Sequence, residues 1–225
     1  MHRRKRASES RARVAAACKN ASMSVRAESA KLGERLQYAT MAWNSAECIV
    51  ALAAGFVAGS IALVGFGFDS AIEVTSSVAA LWRLRSDRYE AAREAAERRT
   101  LRIIGVCFLV LAVYVAYGAA RDLLLRQPPE HSLPGIVIAA LSLIVMPLLV
   151  RAKRRVAAVL ESGALEAEAR QTRVCALLSA ILLFGLGANA ALGWWWADPI
   201  AALAMVPVIA WEGWQALSGK TCCDD

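Results

Sequence analysis

The amino-acid sequence predicts an all-α, polytopic membrane protein with six transmembrane helices and both termini in the cytoplasm. Two features carry that reading: apolar runs long enough to cross a bilayer, and Lys and Arg confined to alternate intervals between them. Hydrophobic residues make up 58% of the chain, and charge is gathered into a few stretches instead of being interleaved as on soluble helices. A bilayer does not tolerate open sheet edges facing lipid, so spans this rich in Ala, Leu and Val must be helices.

The spans follow in order. The first is expected at about Met41 to Gly59 and the second at about Ile61 to Leu84, with the uncharged Gly59–Ser60 turn making them an antiparallel hairpin. A charged stretch from Ser86 to Arg102 follows, in which Asp87 and Glu90 have N-cap and N3 spacing and extend a helix away from the membrane. Span three covers about Ile103 to Leu124, and Gln127 to His131 form a polar loop that ends at Pro134. Span four runs from about Gly135 to Val150 and stops at Arg151, Lys153, Arg154 and Arg155. Spans five and six cover about Ala164 to Leu186 and Trp196 to Trp214.

Positive charge orients the bundle. Residues 1–40 form a basic arm with ten Lys and Arg against Glu9, Glu28 and Glu34. With six spans, that arm, the Arg85–Arg102 loop and the Arg151–Arg155 cluster share one side, which places it in the cytoplasm. Residues 41–215 form the membrane domain and 216–225 a short cytoplasmic tail. No apolar core follows the basic start, so it is not a secretory signal. The arm lacks the interleaved aromatics of a nucleic-acid binder, and lipid headgroups are its expected partner. Trp43, Trp82, Trp211 and Trp214 fall at the inner interface and Trp194 to Trp196 at the outer one, as aromatic belts. The six cysteines are scattered, which predicts reduced thiols.

Ionisable residues within spans are costly, at least about 2.5–3.5 kcal/mol each on insertion scales, so each needs a reason. Span two carries Asp69 and Glu73, four residues apart and therefore on one face. Span five carries Gln171 and Cys175 at the same spacing. Two helices that each present two donors one turn apart can enclose a four-coordinate divalent transition metal, through carboxylate oxygens, a thiolate and an amide carbonyl. The competing reading pairs Asp69 and Glu73 with Arg170 or Arg173 as inter-helix ion pairs. Asn44, Glu47 and Cys48 near the inner end of span one line an access path or serve helix packing. Glu212 reads as a residue that snorkels to the interface. Cys222 and Cys223 in the tail are weak soft-metal collectors. No phosphate-binding glycine motif and no nucleophile paired with a base is present, so an enzyme is not expected.

These residues resemble the cation diffusion facilitator family. The resemblance rests on Asn44 to Leu84, with Gly59-Ser60-Ile61-Ala62-Leu63 before Asp69-Ser70, on Ser162 to Ala169 followed by Gln171 and Cys175, and on Asp198-Pro199-Ile200-Ala201-Ala202. It covers most of residues 41–215. It implies a homodimeric carrier that exports divalent cations, most often zinc, in exchange for protons, through a site between spans two and five. The family has Asp where this chain has Glu73, and His and Asp where it has Gln171 and Cys175. It also has a cytoplasmic metal-binding domain after span six, for which the ten residues beyond Gln215 leave no room.

The reading is therefore a multi-pass plasma-membrane transporter of a divalent cation such as zinc, cobalt or cadmium, with no prosthetic group. Asp69 ligates throughout, Glu73 ligates and carries a proton, Cys175 binds as thiolate and is reprotonated on release, and Gln171 completes the shell. The alternative is a non-transporting, metal-sensing or regulatory membrane protein on the same fold.

Overall fold

A computed structural model describes residues 2–85, 90–160 and 163–218, and side chains from residue 28 onward except 80, 82–100, 163, 164 and 167. The described residues form six helices and no strand: α1 (His2–Ala58), α2 (Ile61–Arg85), α3 (Glu90–Leu125), α4 (Leu133–Leu160), α5 (Gly163–Leu192) and α6 (Ala197–Ser218). Each contains a segment long and apolar enough to span a membrane. The proposed Asp87 cap and the Cys222–Cys223 pair lie outside the described residues.

The α1–α2 turn is built from two residues. Gly59 takes the left-handed conformation (φ 66°) that ends α1, and the Ser60 amide returns to the Gly55 carbonyl at 3.0 Å. Ser60 then caps α2, its Oγ accepting the Leu63 amide at 3.1 Å. Asp198, in the first turn of α6, accepts the Ser60 hydroxyl proton and faces the Ile61 and Ala62 amides. One carboxylate thus ties the start of α6 to the start of α2, where both helix dipoles favour it. The α3–α4 loop lies over the same turn. Its Glu130 amide donates to the Ala58 carbonyl at 2.8 Å, and Asn189 of α5 donates to the Pro129 carbonyl at 3.2 Å.

Span boundaries shift for identifiable reasons. Helix α4 starts at Leu133, ahead of Pro134, because Ser132 caps it by accepting the Gly135 amide at 3.1 Å. It then continues through the basic cluster to Leu160. Helix α1 is continuous with the basic arm, and its buried face begins before Met41, the expected start of the span. A buried stripe of Gly33, Gln37, Thr40, Asn44, Glu47 and Ala51 explains the difference. The alternating steps of three and four keep one face of α1 turned inward below the expected start.

Helix α2 lies at the centre, with 61% of its span buried, and packs against α1, α3, α5 and α6. Helix α3 pairs with α6, and α4 with α5 and α1. Phe66, Leu63, Met146, Leu178, Leu182, Met205 and Ile209 fill the core. Small residues set the closest approach, since lipid removes the hydrophobic drive for helices to associate. At the α3–α6 crossing, a Cβ on Gly105 would stand 2.8 Å from the Gly213 carbonyl oxygen. Gly105→Leu is therefore expected to force these backbones apart and cost about 1–3 kcal/mol, the usual range for overpacking. A thermal melt of the purified chain in detergent should fall clearly below wild type. An unchanged melt would mean that α3 and α6 are not held at this crossing.

Candidate functional site

Helix α2 carries Asp69 and Glu73 on the face toward α5, and both are almost fully buried. Cys175 of α5, also buried, lies within electrostatic reach of both carboxylates. The structure thus brings together three of the four residues picked out by spacing. Gln171 sits one turn away. Its carbonyl oxygen accepts the Ser76 hydroxyl at 2.8 Å, and its Nε2 has no partner among the described residues. Glu73 Oε2 is likewise buried without a partner. Among the described residues, no three His, Cys, Asp or Glu side chains converge closely enough to enclose an ion in this arrangement.

The cation beside the cluster is Lys153. Arg170 and Arg173, expected as partners for the carboxylates, are exposed. Lys153 lies at 0% exposure on the buried stripe of α4, which runs through Ser142, Met146 and Val150 to Val156 and Ala157. Arg151, Arg154 and Arg155 point outward around it. The Lys153 ammonium donates to Glu168 Oε2 at 3.2 Å and to Thr172 Oγ1 at 3.1 Å. Thr172, fully buried, turns its single hydroxyl proton between Glu73 Oε1 at 3.1 Å and the Glu168 carbonyl at 3.0 Å. Sequence reasoning placed Lys153 with the exposed basic cluster and passed over Thr172. The signal for Lys153 was present, because it falls in phase with the apolar stripe of α4.

Helix α1 supplies a third carboxylate. Glu47 is fully buried and accepts Trp43 Nε1–H at 2.8 Å and the Ser70 hydroxyl at 3.3 Å. Ser179 of α5 donates to Ser142 of α4 at 2.9 Å, joining those two helices as the Ser70–Glu47 bond joins α2 to α1. Trp43 consequently faces the site instead of forming an interfacial belt. Trp211 and Trp214 are exposed, and Trp194 stacks on Trp196 at 5.1 Å; the Trp82 side chain lies outside those described. Asn44, one turn from Glu47 on the same face, is fully buried with both amide atoms unpaired. Glu212 of α6 is half-buried and within electrostatic reach of Asp69, Glu73 and Arg170. Cys48, Cys107 and Cys175 are free thiols.

A six-helix membrane bundle that keeps carboxylates and a thiol buried between two spans belongs to the class of membrane proteins that handle ions or protons, since membranes otherwise select against such groups. Residues 38–219 match the cation efflux transmembrane domain, and the chain belongs to that family of membrane transporters. It is 26% identical over 192 residues to an uncharacterized transporter of Synechocystis sp., an alignment covering 80% of this chain and 61% of that protein. It is 29% identical over 121 residues to the cation-efflux pump FieF of Shewanella oneidensis, covering 54% of this chain and 39% of the pump. The chain therefore spans less than two thirds of the length of either relative.

Proposed function

We propose that the chain carries a divalent transition-metal cation such as zinc, cobalt or cadmium out of the cytoplasm in exchange for protons, as a homodimer in the plasma membrane. The observation that carries this reading is the buried meeting of Asp69 and Glu73 on α2 with Cys175 on α5. Two carboxylates and a thiol form a donor set for a borderline or soft divalent ion, and they have little other reason to be together inside a membrane. The unpartnered Glu73 Oε2 is a free donor lone pair facing that cluster. Membership of the cation efflux family and the pump from Shewanella support efflux as the direction. Binding through sulfur requires Cys175 to give up its thiol proton, so loading releases a proton.

Purified chain in proteoliposomes, loaded with a metal-sensitive dye, tests the proposal directly. Metal-dependent signal that collapses when the proton gradient is dissipated is the expected result. The second reading, a metal-sensing or regulatory membrane protein, draws on Gln171, whose carbonyl is already engaged by Ser76. Metal binding without flux in the same vesicles would favour it.

The topology, with N and C termini in the cytoplasm, is tested by cysteine labelling in a background lacking native cysteines. A probe at the exposed Glu130 should react from outside, whereas probes at Arg155 and Ser218, also exposed, should react only after permeabilisation. Lys153 is unsuitable for this purpose because it is buried. Outside labelling at Arg155 would refute the orientation.

A further inference from the structure

We propose that Lys153 is an internal counter-cation of the α2–α5 site, a tethered ammonium that an incoming divalent ion must outcompete. This inference rests on the metal-carrier reading above. Lys153 is the only Lys or Arg that is fully buried among the described residues, and it is paired with Glu168 and bonded to Thr172 on the α5 side of the site. Its ammonium reaches Glu73 through one side chain, Thr172, across two hydrogen bonds of 3.1 Å each. Thr172 itself lies on α5 between Gln171 and Cys175. Any change in how strongly Lys153 holds Thr172 is therefore felt at the carboxylate that would ligate the ion.

The electrostatic logic follows from charge alone. Glu73 lies within electrostatic reach of Glu47, Asp69, Glu168 and Glu212, and the Lys153 ammonium, bonded to Glu168, brings positive charge beside it. In a low-dielectric interior, that charge repels a second cation and weakens its binding. It also keeps the empty site from being an over-deep well, because an ion held too tightly is not released on the other side. Lys153 thus trades affinity for turnover. A purely structural role would be the buried pair with Glu168 alone, in which case the pair, not the single charge, is what matters.

The test uses full-length chain in detergent, with cadmium binding by calorimetry and zinc flux in proteoliposomes. Lys153→Gln should bind cadmium about tenfold more tightly and show slower maximal zinc flux. Glu168→Gln removes the carboxylate charge that pairs with the ammonium, leaving Glu73 as its nearest acidic neighbour, and should weaken cadmium binding. The double variant Lys153→Gln/Glu168→Gln, which leaves neither charge of the pair stranded, should still bind more tightly than Glu168→Gln alone. It also supplies the readout if Lys153→Gln by itself misfolds. Folded Lys153→Gln protein with wild-type or weaker affinity would overturn the inference, as would a double variant no tighter than Glu168→Gln. If wild type bound no metal while folded, the carrier reading itself would fall, and this inference with it.

Discussion

Asp69→Ala is expected to weaken zinc or cadmium binding at least tenfold, about 1.4 kcal/mol, and to reduce flux in proteoliposomes to background. Asp69 is buried on the face of α2 toward Cys175, so alanine removes a charged oxygen donor that no solvent can replace. Asp69→Asn keeps the shape and one carbonyl oxygen, and should fall between wild type and alanine if ligation is the role. Gln171→Ala should cost less than either, because the amide is neutral and its carbonyl already serves Ser76 at 2.8 Å. The two variants also differ in what they leave behind. Removing Asp69 relieves repulsion from Glu73, Glu47 and Glu212, so the folded bundle should be no less stable. Removing Gln171 leaves the Ser76 hydroxyl without that acceptor. Isothermal titration with a thermal melt of each variant separates affinity from folding. Small and equal changes in affinity from Asp69→Ala and Gln171→Ala would mean that these residues only hydrogen-bond helices together.

Spans are legible in a sequence because the bilayer imposes length and apolarity on every one of them, independent of partners. All six helices appear where hydropathy expects them, and errors gather at the ends, where hydropathy stops being informative. Ser132 moves the start of α4 by a cap, which is a local signal, and Gly33 to Thr40 extend the buried face of α1 by helical phase. The site divides in the same way. Asp69, Glu73 and Cys175 were legible because a carboxylate or thiol in a span is conspicuous, and a spacing of four assigns a face. Lys153 was not, because a lysine among three arginines at the end of a span reads as a topogenic charge. Only the phase of the α4 stripe, continued past Val150, distinguishes it. Trp43 shows the complementary limit. Its position near a membrane edge reads as a belt residue, but its indole N–H is directed at Glu47 four residues on, and the buried Glu47 is bonded by Ser70 from another helix. Whether a polar side chain near an interface turns in or out depends on partners that lie elsewhere in the chain.

Cys175→Asp should shift metal preference from soft toward hard cations, an effect readable in a panel of cadmium, zinc, cobalt, manganese and magnesium. Cys175 is buried and within electrostatic reach of both Asp69 and Glu73, so it is the soft donor nearest to an ion held by those carboxylates. Thiolate bonds cadmium and zinc well and manganese or magnesium poorly, whereas three carboxylates make an all-oxygen shell suited to the harder ions. The replacement keeps the charge of the ligated form and changes little bulk, so selectivity changes while the packing around Leu178 and Leu182 is kept. Cys175→Ser provides the second arm: a neutral hydroxyl in the same volume should lose cadmium affinity most and manganese affinity least. Gln171→His should act in the opposite sense and tighten zinc, because imidazole is a much better zinc ligand than an amide. For that the ring has to turn from Ser76 toward Cys175, one turn along the same face of α5. The measurement is uptake of each metal by inside-out vesicles carrying each variant, normalised to protein. If wild type, Cys175→Asp and Cys175→Ser rank the five metals identically, sulfur does not touch the ion. Cys175 would then be a packing residue, and the carrier reading would rest on Asp69 and Glu73 with whichever neighbour, Glu47 or Glu212, completes the shell.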